Sequence, residues 1–153
     1  MEIEILEGYG RLDDVKALFR EYAASLSVDL CFQRFEEELD GLPGRYARPG
    51  GRLYLALAGG SPAGCIALRG LDGARCEMKR LYVRPAFRAL GLGRALAARV
   101  IGDATAMGCR EMLLDTLSEM GGAQALYEKL GFTDIPPYYE NPVPGARYMR
   151  LTL

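Results

Sequence analysis

The sequence predicts a mixed α/β domain, and three observations support this prediction. Two apolar runs at 52–58 and 63–68 are separated by turn residues, which is typical of antiparallel strands. A strand that ends at Arg84-Pro85 is followed by a glycine-bearing turn and a long Ala- and Leu-rich run, which indicates a helix. Two further apolar strands flank a proline-rich loop at 136–145. We therefore expect an α/β (α+β) fold with a mostly antiparallel central sheet.

The first quarter of the chain predicts one strand and two helices. Residues 1–6 alternate as an edge strand does. A first helix extends to about Ser25, because its apolar residues recur at helical spacing, and a second, shorter helix ends at Gly41-Leu42-Pro43-Gly44. The apolar positions are Leu12, Val15, Leu18, Phe19 and Tyr22 in the first helix and Phe32, Phe35 and Leu39 in the second.

The middle of the chain predicts a hairpin and a central strand. Gly59-Gly60-Ser61-Pro62 joins the strands at 52–58 and 63–68, and a second turn at 71–73 leads into the strand at 77–83. The helix opened by residues 88–93 has an apolar stripe at Leu96, Ala97, Val100, Ile101 and Ala104.

The last third predicts three strands and one helix. Residues 111–116 form a strand, and Gly121-Gly122 precede a helix whose inward face contains Ala125, Leu126 and Leu130. Gly131 caps that helix, and strands at 132–135 and 147–153 follow. The sum is six to seven strands and four helices in one domain, 1–153.

Composition and charge limit the partners. The formal net charge of -1 and the pI near 5.6 give no electrostatic reason for nucleic-acid binding. The first ten residues are acidic where a signal peptide is basic, and no apolar run reaches the roughly 20 residues that span a bilayer. We expect a soluble cytoplasmic protein without membrane contact.

The chain has no histidine, and its four cysteines form no Cys-x-x-Cys pair. This pattern argues against zinc sites and histidine-based triads, and we expect no metal. Cys31, Cys65, Cys76 and Cys109 fit buried thiols in a reducing compartment. A catalytic base must then be a carboxylate, a tyrosine or water.

The turn at 88–93 predicts an anion site. The first amides of a helix have no intrahelical acceptor, and Gly91 and Gly93 have no side chains to exclude a pyrophosphate. A Walker loop requires Gly-Lys-Ser/Thr, but Arg94-Ala95 follows Gly93. A dinucleotide fingerprint requires a small residue where Leu96 stands.

Two segments instead resemble the GNAT family of N-acetyltransferases. Arg-x-x-Gly-x-Gly after Leu-Tyr-Val-Arg-Pro resembles the family's acetyl-CoA loop, and ALYEKLGF at 125–132 resembles its late helix and the strand after it. The resemblance covers nearly the whole chain. It implies splayed central strands and transfer of the acetyl group of acetyl-CoA to a primary amine of a small molecule or peptide, by direct attack in a ternary complex. The oligomeric state stays open, with a homodimer as one alternative.

The resemblance also implies the cofactor contacts. The backbone of Leu81, Tyr82 and Val83 would pair with the pantetheine arm, and an amide there would polarise the acetyl oxygen. The remaining contacts would come from the loop and helix start: Arg88, Ala89, Leu90, Gly91, Leu92, Gly93 and Arg94. Arg88 can contact a CoA phosphate or be a solvated charge near a turn. Met120 stands where many members carry an asparagine that contacts the cofactor, which puts one such contact in doubt.

Two residues are candidates for catalysis. Tyr127 matches the family tyrosine beside the CoA sulfur, as a general acid or a sulfur-positioning hydroxyl, and its alternative is a boundary aromatic. Glu77 matches the position of the base in some members, and its alternative is a surface ion pair with Lys79 or Arg80. If Glu77 lies in the slot beside the acetyl group, partial burial is expected to raise its pKa towards the working range and make it a better base.

The acceptor is not predicted beyond a primary amine. Tyr22, Phe32, Tyr138 and Tyr139 are neighbourhood candidates, because acceptor pockets in the family are built from the first two helices and the last hairpin. An acid-rich pocket would imply a polyamine or an aminoglycoside, and an arginine-lined pocket would imply an amino acid or a protein terminus. The alternative to an enzyme is a catalytically silent CoA-binding or protein-interaction module of the same fold.

Overall fold

The computed structural model describes residues 1–26, 34–117, 120–141 and 143–153. Its helices are α1 (Leu12–Ala24), α2 (Phe35–Asp40), α3 (Leu92–Ala106) and α4 (Gly121–Leu130). Its strands are β1 (Ile3–Glu7), β2 (Arg52–Ala58), β3 (Ser61–Gly70), β4 (Arg75–Val83), β5 (Glu111–Thr116), β6 (Thr133–Ile135) and β7 (Arg147–Thr152). The predicted fold class is confirmed.

The strands of the described residues form a seven-stranded sheet in the order β1-β2-β3-β4-β5-β7-β6. Neighbouring strands are antiparallel except β4 and β5, which are parallel and are connected by α3. The turn between β2 and β3 has two residues, Gly59 and Gly60, with φ values of 57° and 83°. Such a turn requires positive φ at both positions, so glycine suits both. The predicted hairpin is confirmed.

Strands β4 and β5 separate along part of their length. Their last paired residues are Glu77 and Leu113, although β4 continues to Val83 and β5 to Thr116. Arg80 has a φ of 60°, and the register between β3 and β4 shifts beside it, so β4 contains a bulge. The splayed central strands that the family resemblance implies are confirmed, and a gap opens between the two strands.

Helices cover both faces of the sheet. α3 and α4 pack on one face, where Leu96 and Val100 are fully buried. α1 and α2 pack on the other, where Val15 and Phe19 are fully buried. Since side chains alternate along a strand, β2 contributes to both apolar clusters and is buried along almost its whole length.

The inward face of α4 differs from the predicted one. Ala125 is exposed, whereas Tyr127 is buried and packs edge-on against Phe132 at a ring-centroid distance of 5.8 Å. Leu126 and Leu130 are half-buried, and Gly131 ends the helix with a φ of 103°, as predicted. Tyr127 also lines the gap beside β4.

Other predicted boundaries differ by a few residues. β3 extends from Ser61 to Gly70, and β4 begins at Arg75, two residues before the predicted start. α3 begins at Leu92, after the glycine of the turn. Cys31 and Phe32 lie outside the described residues. Phe32 is the first apolar position of the second predicted helix, so that part of the prediction also lies outside them.

Candidate active site

A groove of about 610 Å³ lies beside the separated part of β4. Its walls are the C-terminal part of β4, the loop before α3 and the first turns of α3 and α4. The lining residues are Tyr22, Ser25, Leu26, Leu81–Val83, Phe87–Ala89, Gly91–Gly93, Met120, Gly122, Ala123 and Leu126. A groove of this size is typical of small-molecule and cofactor sites.

The N-terminus of α3 faces the groove. Gly91 precedes the helix with a φ of 77°, and no side chain caps the helix end. The first amides of α3 therefore carry the positive end of the helix dipole without an intrahelical acceptor. A Cβ at Gly93 would lie 3.6 Å from Leu126 Cδ2 and 4.0 Å from Val83 Cγ2, which is ordinary contact. Gly93 is thus not required by its backbone or by crowding, and its effect is to keep this wall of the groove open.

Most of the predicted cofactor residues lie along this groove. Eight of them line it: Leu81, Tyr82, Val83, Arg88, Ala89, Gly91, Leu92 and Gly93. Leu90 and Arg94 are exposed and do not line it. Arg88 Nε donates a hydrogen bond to the carbonyl of Val83 at 3.0 Å, which holds its guanidinium across the end of β4.

A smaller cavity of about 30 Å³ continues from the groove into the gap between β4 and β5. Groove and cavity share four lining residues: Tyr22, Leu26, Leu81 and Met120. The other residues of the cavity are Met78, Lys79, Arg80, Asp115, Thr116, Leu117, Tyr127 and Asn141. Ionisable and apolar groups therefore meet where the two spaces join.

Tyr127 lines the cavity from α4. Only 4% of the residue is exposed, and its hydroxyl makes no hydrogen bond to any described residue. Burial, and then the neighbouring Tyr22 and Asp115, raise the pKa of Tyr127, so the hydroxyl stays protonated at neutral pH. A buried hydroxyl without a partner inside the protein is available to a bound molecule.

Met120 lies at the start of α4, before its first residue. It lines both the groove and the cavity, and the Thr116 hydroxyl is 3.9 Å from its sulfur. A thioether is only a weak acceptor and donates no hydrogen bond. This position therefore contributes apolar contact where an asparagine would contribute polar contact.

Glu77 is only 1% exposed and is held by three side chains. Arg69 Nε donates to its Oε1 at 2.6 Å, and the Tyr138 hydroxyl donates to its Oε2 at 2.5 Å. The Lys79 Nζ is 3.8 Å from Oε1. Glu77 does not line the cavity.

The expectation that burial would raise the pKa of Glu77 is wrong. Burial alone acts in that direction, but the charge of Lys79, the hydrogen bond from Tyr138 and the guanidinium of Arg69 together lower the pKa below its ordinary value. The predicted alternative, an ion pair between Glu77 and Lys79, is correct, and Arg69 is a second partner of Glu77. The pair is buried, however, and does not lie on the surface. Arg80 pairs elsewhere: its Nε donates to Glu38 Oε2 at 2.9 Å.

Asp115 is the carboxylate that lines the cavity. The Tyr139 hydroxyl donates to its Oδ2 at 2.5 Å, and the Asn141 amide donates to the same atom at 3.4 Å. No cationic side chain of the described residues lies within ion-pair distance of it. Of the predicted acceptor neighbours, Tyr22 lines the cavity, Tyr138 and Tyr139 hold the two carboxylates, and Phe32 lies outside the described residues.

Lys79 and Asp115 are two charged cavity residues that sequence reasoning missed. Lys79 lies two residues after Glu77 on the same strand, so the period of two placed both side chains on one face. Asp115 is a charged residue near the end of an apolar strand. Gly122 and Ala123, at the start of α4, were also missed as groove residues, although the Gly-Gly pair marked an open helix end.

Three wider features complete the description. No described helix has the length and apolar character needed to cross a membrane. Within the described ranges, no cluster of three or more His, Cys, Asp or Glu side chains is arranged to hold a metal ion. Cys65, Cys76 and Cys109 are free thiols.

Comparison with known proteins agrees with this geometry. The family model described as "Acetyltransferase (GNAT) family" matches residues 13–132. A Schizosaccharomyces pombe protein named as an uncharacterized N-acetyltransferase is 41% identical over 144 residues, which are 93% of this chain and 88% of that protein.

Two solved structures are similar in fold. An acetyltransferase from Streptococcus agalactiae has a TM-score of 0.82 and 24% identity, covering 99% of this chain and 98% of its own. The PaiA N-acetyltransferase from Thermoplasma acidophilum, solved in complex with coenzyme A, has a TM-score of 0.76 and 19% identity, with full coverage of both chains. From the family match and the S. pombe relative, the chain belongs to the GNAT family of acetyltransferases.

Proposed function

We propose that the protein transfers the acetyl group of acetyl-CoA to a primary amine of a small molecule or peptide, by direct attack in a ternary complex. The observation that carries this proposal is the junction of the groove with the inner cavity. A cofactor-sized space and an ionisable acceptor space meet there, next to the unpartnered hydroxyl of Tyr127. The coenzyme A in the Thermoplasma neighbour supports the same use of the fold.

The groove fits a CoA molecule in two respects. The amides at the start of α3 suit a pyrophosphate, because they are uncapped donors at a positive helix end. Beyond Glu77, the edge of β4 that faces β5 has no strand partner in the described residues, so the backbone of 81–83 is available to an extended pantetheine arm. Acetyl-CoA would supply the activated thioester, and an amide in 81–83 would polarise its oxygen.

The side chains of the cavity account for the proton transfers. An amine arrives as an ammonium ion at neutral pH, and Asp115 is placed to accept its first proton. As the nitrogen–carbon bond forms and the carbon–sulfur bond breaks, Tyr127 gives its proton to the leaving sulfur. The second nitrogen proton restores the Tyr127 hydroxyl. Glu77, the base predicted from the sequence, is the alternative to Asp115, although it does not line the cavity.

Thiol release in the presence of acetyl-CoA and a panel of primary amines tests the proposal. We expect release that depends on both acetyl-CoA and an amine, with the acetylated amine identified by mass spectrometry. Acetyl-CoA binding measured by calorimetry serves as the control. Binding without amine-dependent release across amino acids, polyamines and peptides would favour the silent CoA-binding module.

A cytoplasmic location is part of the proposal. Free thiols at Cys65, Cys76 and Cys109 fit a reducing compartment.

A further inference from the structure

The ammonium group of Lys79 is buried without a hydrogen bond to any described residue. Its side chain is 7% exposed and lines the inner cavity. Its nearest described ion-pair contact is Glu77 Oε1 at 3.8 Å, beyond hydrogen-bond distance, and it donates to no described residue. A buried ammonium with three unsatisfied donors is costly unless something in the cavity accepts them.

Glu77 does not satisfy the donors of Lys79, since its Oε1 lies 3.8 Å from the Lys79 Nζ, beyond hydrogen-bond distance. Arg69 binds Oε1 and the Tyr138 hydroxyl binds Oε2. Arg69 also neutralises the charge of Glu77, so the positive charge of Lys79 is in excess. Arg80, the other cation of the cavity, donates hydrogen bonds to Glu38 through two nitrogens at 2.9 and 3.1 Å, and Glu38 also accepts one from Arg45 at 2.8 Å. Unlike Lys79, Arg80 is therefore hydrogen-bonded to its carboxylate partner.

Asp115 shows the opposite imbalance. Its Oδ2 accepts hydrogen bonds from neutral groups, Tyr139 and Asn141, and it has no cation partner among the described residues. The cavity thus contains an ammonium that shares its carboxylate partner with Arg69 and makes no hydrogen bond to a described residue. It also contains a carboxylate with no cation of the described residues at ion-pair distance.

On the basis of the proposed acetyl transfer, we propose that the acceptor is a free α-amino acid, whose carboxylate binds Lys79 and whose ammonium binds Asp115. The size of the cavity limits the distance between these charges. About 30 Å³ holds two or three groups the size of a water molecule. The ammonium and the carboxylate of an α-amino acid are joined by one carbon, so both charged groups can enter this space while that carbon lies where the cavity opens into the groove. A polyamine would leave Lys79 facing a second cation. The amino-acid side chain points towards the groove, past the residues that both spaces share.

The test compares each amino acid with its carboxamide, which has the same size and amine but no carboxylate charge. L-alanine, L-methionine, L-leucine and L-phenylalanine are paired in this way, and thiol release gives kcat/KM. We expect the better amino acids to exceed their amides by about 10²-fold, because a buried cation rejects a neutral analogue.

Two variants assign the two charges. In Lys79→Met, kcat/KM for the amino acid and kcat/KM for its amide should lie within a few-fold of each other. The change should come chiefly from a lower kcat/KM for the amino acid. Asp115→Asn should lower kcat/KM for the amino acid and for its amide by a similar factor, because both substrates carry the ammonium group. Lys129→Met, at an exposed position of α4, is the matched control and should keep the wild-type ratio. Lys79→Gln repeats the test if the methionine variant does not fold.

A direct binding measurement separates this inference from the proposed function. Calorimetry with the CoA-bound protein should show binding of the amino acid, and Lys79→Met should weaken it by tenfold or more. Equal kcat/KM for amino acids and amides in the wild type, or an unchanged ratio in both Lys79 variants, would overturn the inference while leaving acetyl transfer intact. Failure of every amine to release thiol would instead remove the proposed function, and the calorimetric result would then decide the amino-acid site alone.

Discussion

Tyr127 carries its proposed role in a single oxygen atom. Tyr127→Phe removes the hydroxyl and keeps the ring that packs on Phe132. Because this hydroxyl makes no hydrogen bond to a described residue, we expect the free energy of unfolding to change by less than about 1 kcal/mol. If the hydroxyl protonates the sulfur, kcat should fall by about 10²-fold.

A second tyrosine provides the control for this variant. Tyr54 is 2% exposed and lies on the face of the sheet that α3 covers, away from the groove. Its hydroxyl donates a hydrogen bond to Asp103. Tyr54→Phe should therefore lose stability and keep kcat, which is the reverse pattern. Thermal unfolding and thiol release measure both quantities. Wild-type turnover in Tyr127→Phe would reduce Tyr127 to a packing residue.

Glu77 is expected to act mainly on stability. Glu77→Gln leaves Arg69 and Lys79 without their carboxylate, and breaking such a buried pair costs about 3 kcal/mol. The pKa of Glu77 is lowered in the folded protein, so its contribution is present above the ordinary glutamate pKa of 4.5 and is lost as the pH falls towards the folded value.

Chemical denaturation between pH 7 and pH 3 measures this effect. The difference in unfolding free energy between the wild type and Glu77→Gln should be largest at pH 7 and should shrink below about pH 4.5. Equal stability at pH 7, combined with a large loss of kcat, would restore Glu77 as the base in place of Asp115.

Single residues also show where sequence reasoning stops. That Glu77 belongs to the central strand follows from local pattern, and its burial follows from a sheet covered on both faces. The lowered pKa of Glu77 depends first on the charge of Lys79, two residues away on the same strand, and then on Tyr138 from the proline-rich loop, 61 residues away, and on Arg69 from β3. The last two pairings join parts of the chain that are distant in sequence. Local pattern carries no information on such pairings, so the predicted direction was wrong.

Among the elements, α3 is the one whose start has a proposed function. Gly93→Val places side-chain atoms into the groove beside the first amides, and the Cβ itself meets only ordinary contacts. We expect the affinity for CoA to fall by about 10- to 100-fold, equivalent to one lost charge-assisted hydrogen bond. The fold should persist, because valine is no worse than glycine in a helix.

Gly102 provides a matched substitution in the same helix. A Cβ there meets nothing within 4 Å, and the residue is exposed. Gly102→Val should bind CoA as the wild type does. Calorimetry on both variants decides the question: equal CoA affinity in a folded Gly93→Val protein would place the phosphates elsewhere.

The strand-turn-helix unit was predictable because each signal in it is local. Proline ends the strand, two glycines mark the turn, and an Ala-rich run forms the helix. The inner cavity was not predictable, because it forms where β4 and β5 separate after Glu77 and Leu113. Lys79 and Asp115 lie on different strands, and only the bulge at Arg80 and the length of the splay bring both into one cavity.

For the molecule as a whole, the fold class followed from composition and pattern, since alternating apolar strands and amphipathic helices define two layers on one sheet. Of the charges, the composition predicted only the net value. A net charge of -1 is a total for the chain, and it does not reveal that Lys79 shares its carboxylate partner with Arg69 inside the protein. Nor does it reveal that Asp115 lines the cavity with no cation of the described residues at ion-pair distance. The oligomeric state stays a prediction, with the homodimer as one alternative.

The buried charge of Lys79 should be visible in the stability of the whole protein, independently of any substrate. Burial lowers the pKa of Lys79 to about 8 from its ordinary 10.5; Glu77 and Asp115 oppose this shift, while Arg80 and Arg45 add to it. Between these values the unfolded chain binds the proton and the folded protein does not, so stability due to Lys79 rises with pH.

Lys79→Met removes this dependence. The unfolding free energy of the wild type relative to Lys79→Met should therefore rise by about 2 to 3 kcal/mol between pH 8 and pH 10. Denaturant titrations of both proteins across that range measure the difference, which cancels the titration of the tyrosines they share. A difference that does not change with pH would mean that Lys79 keeps its ordinary pKa and reaches solvent, and the cavity would then hold no buried ammonium for a carboxylate to bind.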